Sequence, residues 1–305
     1  MTTTPTRVLI SGGSGSIGLQ LGVFLEENGL EVSVLSRRRS ENDRFTTYVW
    51  NLKENFIEKE AITNTDYIIH LAGAGIADKR WSDKRKTEII ESRTDTSKLL
   101  YEALKHHKNE VKAVISASGA GYYGQISTNK LFKESDPAGS DFIGSICKDW
   151  EEAINQIQTL NIRVVNLRIG LVLMKNAGAL EKMTPAFQLG FGSVLADGKQ
   201  FMPWIHINDL IGIFFQALTD KKMIGPYNCC SPEVADNREF SKALAKSLHK
   251  KIWLPNTPAW VLKLILGERA VLLTEGSRLS VQKLLSTGFT FKYASLEAAL
   301  KQIQA

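Results

Sequence analysis

Ser11-Gly12-Gly13-Ser14-Gly15-Ser16-Ile17-Gly18 follows directly on the apolar run Arg7–Ser11 and opens a helical pattern reaching Asn28. Each glycine has a physical reason in such a turn. Gly12 permits the tight reversal, Gly15 lets the backbone approach a pyrophosphate, and Gly18 allows the helix to pack closely on the strand. The N–H groups of Gly13, Ser14, Ser16 and Ile17 then lie at the positive end of a helix dipole, where phosphate oxygens are stabilised. A glycine triplet alone is a weak signal; a strand before it and a helix after it make it strong.

Outward from this turn, short apolar runs alternate with helical patterns. Arg7–Ser11, Glu31–Ser36, Tyr67–Leu71, Ala113–Ala117 and Arg163–Arg168 read as strands, and Tyr48–Trp50 adds a candidate. Their continuous apolar character fits strands buried on both faces. Helices are expected over Ile17–Asn28, Glu88–His107 and Ile143–Leu160. The alternation predicts right-handed βαβ units and an α/β fold, a Rossmann-type doubly wound parallel sheet. Residues 1–170 are expected to form mainly this dinucleotide-binding domain, and residues 171–305 mainly a smaller substrate-side lobe packed on it. In the second part Gly178–Pro203 reads as a ligand-covering loop. Asp209–Leu218, capped by Asn208, then Asn237–His249 and Ser295–Ile303 read as helices.

The end of the second strand selects the cofactor. A carboxylate there would bond the adenosine ribose 2′-hydroxyl and favour NAD. The chain has Ser36-Arg37-Arg38-Arg39, whose guanidinium forks suit a 2′-phosphate, so NADP is expected over NAD. The alternative is a solvated basic turn.

The 305 residues, 43% hydrophobic and 23% charged with a net charge of +6, describe an ordinary globular protein. Basic clusters such as Lys105–Lys108 lack interleaved aromatics, so no nucleic-acid partner is expected. Three cysteines, Cys147, Cys229 and Cys230, form no CxxC pair; neither a disulfide framework nor a metal site is expected. The polar stretch Met1–Thr6 shows no signal peptide, and the longest apolar candidate, near Trp260–Leu266, is broken by Lys263 and Glu268. A cytoplasmic monomer or homodimer with a small-molecule substrate and no membrane partner is the expectation.

Further motifs carry a resemblance. They are His70-Leu71-Ala72-Gly73-Ala74, Arg80-Trp81-Ser82 with Glu88 and Ser92-Arg93, Ser116-Ala117-Ser118 leading to Gly121-Tyr122-Tyr123-Gly124, Cys147–Glu151, Arg168-Ile169-Gly170 and Trp204–Leu210. Together they resemble an atypical extended short-chain dehydrogenase/reductase, the epimerase-like family called NAD-dependent epimerase/dehydratase. Gly267-Glu268 and Gly288-Phe289 resemble its small C-terminal domain of unknown function. The resemblance implies that Ser36, Arg37 and Arg38 hold the 2′-phosphate end and that Leu71, Ala72 and Gly73 line the adenosine path. It also implies that Glu88, Arg93 and Val172 approach the cofactor.

The catalytic pattern departs from the superfamily's usual one, a Tyr acidified by a Lys four residues later and assisted by a Ser. Lys148 stands at the Lys position, but Gly144 replaces the Tyr. A missing phenol removes a proton-transfer contribution of roughly 10²–10⁴ in rate. Ser118, Tyr122 and Tyr123 are candidate substitutes, each with core packing as its alternative; Lys148 has ribose binding as its own. His206 reads as a hydrogen-bonded structural histidine, Asp209 as a first-turn carboxylate, and Trp81 and Trp204 as pocket walls or core. Two functions stand: an NADP-binding oxidoreductase or epimerase on a small carbonyl or sugar-like substrate, or a non-catalytic NADP-binding sensor or partner-binding module.

Overall fold

The computed structural model describes residues 5–39 and 44–304; Met1–Thr4, most of the polar N-terminal stretch, lie outside the described residues. The first half runs β1 (Arg7–Ser11), α1 (Ser16–Glu27), β2 (Glu31–Ser36), β3 (Thr46–Asn51), β4 (Phe56–Ile57), α2 (Lys59–Thr63), β5 (Tyr67–His70), α3 (Asp83–His106), β6 (Ala113–Gly119), β7 (Leu131–Phe132) and α4 (Phe142–Asn155). Next come β8 (Arg163–Ile169), β9 (Leu171–Leu173), α5 (Gly178–Gln188), β10 (Trp204–His206), α6 (Ile207–Thr219) and β11 (Gly225–Cys229). The C-terminal part holds α7 (Asn237–Ser247), α8 (Ala259–Leu266), α9 (Val271–Thr274), β12 (Arg278–Leu279), α10 (Gln282–Leu285) and α11 (Leu296–Gln304).

Among the described residues eight strands form one sheet in the order β11-β8-β6-β5-β1-β2-β3-β4, parallel except for β4. The order reverses between β1 and β5, whose register pairs Ser11 with His70. In a doubly wound sheet this switch point opens a crevice at the strands' carboxyl ends. Both faces are covered, as a parallel sheet requires. Val8, Ile10 and Ile69 pack with Leu21, Leu25, Ile213 and Phe214 of α1 and α6; Leu9, Ile68 and Val114 pack with Leu99, Leu100 and Ile154 of α3 and α4. A third core, with Leu180, Phe240, Leu244, Leu300 and Trp204, joins α5, α7, α11 and the β9–β10 pair into the C-terminal lobe.

Several expectations are revised. The sheet takes its last strand, β11, from beyond residue 170; Pro226 disguised it, and the strand tolerates proline because it pairs on one side only. The region expected as loop begins with α5, which accommodates Pro185 in its interior. Asn208 is not a cap. α6 starts two residues sooner than expected, and the His206 ring accepts the Asn208 N–H at 3.1 Å. The helix expected to Leu160 ends at Asn155 and continues as a 3₁₀ turn over Gln156–Leu160.

Candidate functional site

The glycine turn sits at the switch point. Gly12 has φ +76°, and a Cβ built on it would lie 3.1 Å from the Ala72 nitrogen, so the turn rests against the backbone leaving β5. A Cβ on Gly13 would meet Val34 Cγ1 at 2.4 Å, and one on Gly18 would meet the Gly12 oxygen at 2.5 Å. Gly15 has only the Gly12 oxygen nearby, at 3.3 Å, and Ser14, Gly15 and Ser16 face solvent. Among the described residues no side chain caps α1, and its first turn carries no acid. The exposed side of the turn is therefore a cradle of uncapped amides, and it fits a diphosphate.

Behind the turn, Ser11 Oγ lies 2.7 Å from His70 Nδ1. The Thr96 and Ser97 hydroxyls, each 3.3 Å from His70 Nε2, donate to the carbonyls of Ser92 and Arg93. Nε2 is thereby left to carry the ring proton, and Nδ1 accepts from Ser11. Burial, with the Arg93 charge adding to it, pushes the His70 pKa down to about 3. The ring is a neutral tether joining β1, β5 and α3.

At the end of β2, Arg39 forks onto Glu58 with two contacts of 2.7 Å. Arg37 and Arg38 have no carboxylate partner among the described residues. With Ser36 they line a cleft of about 510 Å³. After β5, a Cβ on Gly73 would lie 3.2 Å from the Arg93 guanidinium carbon. Arg93 is largely desolvated, lies 5.1 Å from the Trp150 ring centroid and donates to the Ile89 carbonyl at 2.9 Å. Glu88 pairs with Arg85 at 2.7 Å, and it is half-exposed. Leu71 and Ala72 are half-buried beside the turn; Val172 sits in β9 opposite Ile205.

The catalytic candidates separate into two environments. Ser118 Oγ donates to Glu151 Oε1 at 2.7 Å and is buried. Glu151 accepts two bonds of 2.8 Å from Arg168, whose Nη1 donates to the Tyr123 hydroxyl at 2.8 Å. That hydroxyl donates in turn to Asn228 Oδ1 at 2.7 Å. Burial pushes the Tyr123 phenol up to about 12, against the opposing pull of Arg168. Tyr122 differs. Its ring lies flat against the same guanidinium, with Arg168 Cζ 3.4 Å from the centroid, while its hydroxyl bonds to none of the described residues. Lys148 is exposed on α4, its Nζ 3.6 Å from Glu152.

Sequence reasoning named Arg168 and Glu151 only within motifs, and Asn228 not at all. Arg168 and Asn228 lie inside β-strands, and a polar side chain in such a run was the available signal. His206 Nε2 reaches Gln302 at 2.8 Å, and Asp209 accepts the N–H groups of Lys292 and Tyr293 at 2.7 and 3.0 Å. Both tie the C-terminal segment to α6. Trp81 and Trp204 are core residues. Among the described residues no cluster of His, Cys, Asp or Glu could hold a metal ion, and no helix is long and apolar enough to cross a membrane.

A Rossmann-type sheet with a glycine turn at its switch point and an appended C-terminal lobe defines an extended short-chain dehydrogenase/reductase fold. Residues 8–230 match the NAD dependent epimerase/dehydratase family, and the chain belongs to it; residues 257–303 match a domain of unknown function (DUF1731). The mouse epimerase family protein SDR39U1 is 34% identical over 303 residues, covering 98% of this chain and 100% of the relative. YfhF of Bacillus subtilis is 31% identical over 98% of both chains. The crystal structure of human SDR39U1 (isoform 2) with NADPH superposes with a TM-score of 0.87 at 31% identity, covering 98% of this chain and 99% of that one.

Proposed function

We propose that this protein binds NADP at the β1–α1 turn and acts as an oxidoreductase or epimerase on a small carbonyl or sugar-like substrate. The observation that carries the reading is that Arg37 and Arg38, without a carboxylate partner among the described residues, stand at the same strand ends as the uncapped α1 amides. The human relative's structure with NADPH supports it. The amides from Gly13 to Ile17 hold the diphosphate, and Ser36, Arg37 and Arg38 take the 2′-phosphate. Leu71, Ala72 and Gly73 line the adenosine side, and Arg93 under Gly73 adds a positive field. When bound, the nicotinamide donates or accepts hydride.

The proton must come from the chain. Tyr122, whose hydroxyl bonds to none of the described residues, exchanges the proton, and Lys148, exposed and 3.6 Å from Glu152, turns to hold ribose hydroxyls. Ser118 and Tyr123, with their hydroxyls committed to Glu151 and Asn228, position the wall on which Tyr122 lies. A cytoplasmic setting accords with three buried thiols that form no disulfide.

A second reading, binding without turnover, is favoured by the absence of a tyrosine at Gly144. Calorimetric titration with NADP and NAD, followed by NADPH oxidation across a panel of aldehydes, ketones and keto-sugars, tests both. Tighter NADP binding with turnover of one panel member is the expected result. Binding with no turnover supports the second reading, and failure to bind either dinucleotide overturns both.

A further inference from the structure

Of the six tryptophans, Trp50, Trp81, Trp150 and Trp204 are at most 7% exposed, whereas Trp253 and Trp260 are 69% and 70% exposed. Leu264 and Ile265 of α8 are exposed alongside them, as are Leu189 and Phe191 after α5. The segments that carry them are neighbours. Thr257 ties the two segments together, donating its N–H to the Val194 carbonyl at 2.8 Å and accepting the Ala196 N–H at 2.9 Å. A Cβ on Gly190 would lie 3.9 Å from Trp253 Nε1. Trp260 and Leu264 are one helical turn apart on α8, a helix whose only buried side chain is Leu262.

The charge around this face is mainly positive. Residues 248–267 include Lys250, Lys251 and Lys263 but no acid, and residues 183–196 carry no charge at all. The three lysines are exposed and have no ion-pair partner among the described residues. Of the acids that flank these stretches, Glu268 pairs with Lys86, and Asp197 is exposed and accepts the Lys199 N–H at 3.0 Å.

We propose that this face docks on an anionic lipid surface. Contiguous exposed apolar area marks an interaction site, and tryptophan is favoured where an apolar phase meets water. Lysines ringing such a face complement negatively charged headgroups. The same lysines disfavour a second copy, since two-fold pairing would bring two predominantly basic faces together. Peripheral docking needs no spanning helix. Exposure, not composition, sets Trp253 and Trp260 apart from the four core tryptophans, so no residue pattern announces this face. The inference does not depend on the dinucleotide reading.

Flotation of the full chain with phosphatidylcholine vesicles, with and without phosphatidylglycerol, tests it. The protein floats with the anionic vesicles only, its tryptophan emission shifts to the blue, and added salt releases it. Lys250→Glu/Lys251→Glu and Trp260→Ser/Leu264→Ser each weaken binding about tenfold or more, whereas Ile224→Ser, at an exposed apolar site elsewhere, leaves it unchanged. Absence of flotation at low salt, binding indifferent to the α8 variants, or a concentration-dependent dimer dissolved by Trp260→Ser would each overturn the proposal, the last by assigning the face to a second copy.

Discussion

Gly144 lies against Gly139 so closely that a Cβ built on it would sit 2.4 Å from the Gly139 carbonyl oxygen. The obstacle is backbone, not a flexible side chain, and Asp141 Oδ1 holds it in place by accepting the Gly144 N–H at 2.8 Å. The position where the superfamily carries its phenol is therefore closed to any side chain. Gly144→Ala is expected to lower stability by about 1–3 kcal/mol through overpacking, and Gly144→Tyr to misfold rather than gain activity. Urea unfolding checks the first; an unchanged midpoint would show that the two segments part freely.

The cofactor preference is expected to follow Arg37. Arg37→Glu places a carboxylate where the 2′-phosphate would lie, so the thermal stabilisation given by NADP falls below that given by NAD. The loss of NADP affinity is at least about tenfold, since charge-assisted hydrogen bonds contribute roughly 1.5–3 kcal/mol. An unaltered ranking of the two dinucleotides would place the discriminating contact elsewhere.

The two adjacent tyrosines should respond oppositely to loss of the hydroxyl. Tyr122→Phe keeps the ring on Arg168 and lowers turnover by roughly 10²–10⁴, with NADP affinity and stability unchanged. Tyr123→Phe removes the bond to Asn228 and strands a buried polar group, costing about 1–3 kcal/mol. Steady-state kinetics beside thermal unfolding separates them. Full activity in Tyr122→Phe would remove that phenol from the mechanism.

The ion pair beneath these tyrosines is expected to hold the sheet's end together. Arg168 and Glu151 are each under 10% exposed, so truncating one leaves the other buried without its counter-charge. Glu151→Ala should cost about 3–5 kcal/mol, and the joint change Glu151→Leu/Arg168→Met clearly less. Denaturant midpoints for the two variants test this; equal losses would mean the network contributes through shape alone.

The fold was legible where local pattern and burial agree. β1, β2 and the glycine turn read directly because both faces of each strand are buried and each glycine has a backbone neighbour. β11 and α5 were hidden by Pro226 and Pro185, whose positions are tolerated for reasons of tertiary context. The candidate site was half legible. Ser118 and Tyr123 could be named from their place after β6, but not that partners from β8, α4 and β11 had engaged their hydroxyls. Those partners lie between 33 and 105 residues away in sequence, and no local signal spans that separation.

His70 should make the protein acid-labile in a window its own environment defines. In the unfolded chain the ring takes up a proton below its ordinary value of 6.5, whereas in the folded protein it stays neutral to about 3. Between these values the unfolded state binds more protons, so stability falls as pH drops from 6.5 towards 3 and gains nothing from this ring above 6.5. The slope approaches about 1.4 kcal/mol per pH unit, the value for one proton. Carboxylates such as Asp66, for which burial is the largest single influence and raises the pKa but is outweighed by the bonds from Arg7 and Lys112 together, also lose stabilisation in acid. The comparison that isolates the ring is therefore His70→Gln, which can keep bonds to Ser11 and α3 but cannot titrate. Urea unfolding at several pH values should show a shallower decline for the variant between 6.5 and 4, even where its stability at neutral pH is lower. Parallel declines would mean that the folded ring charges readily, which its burial and the Arg93 charge argue against.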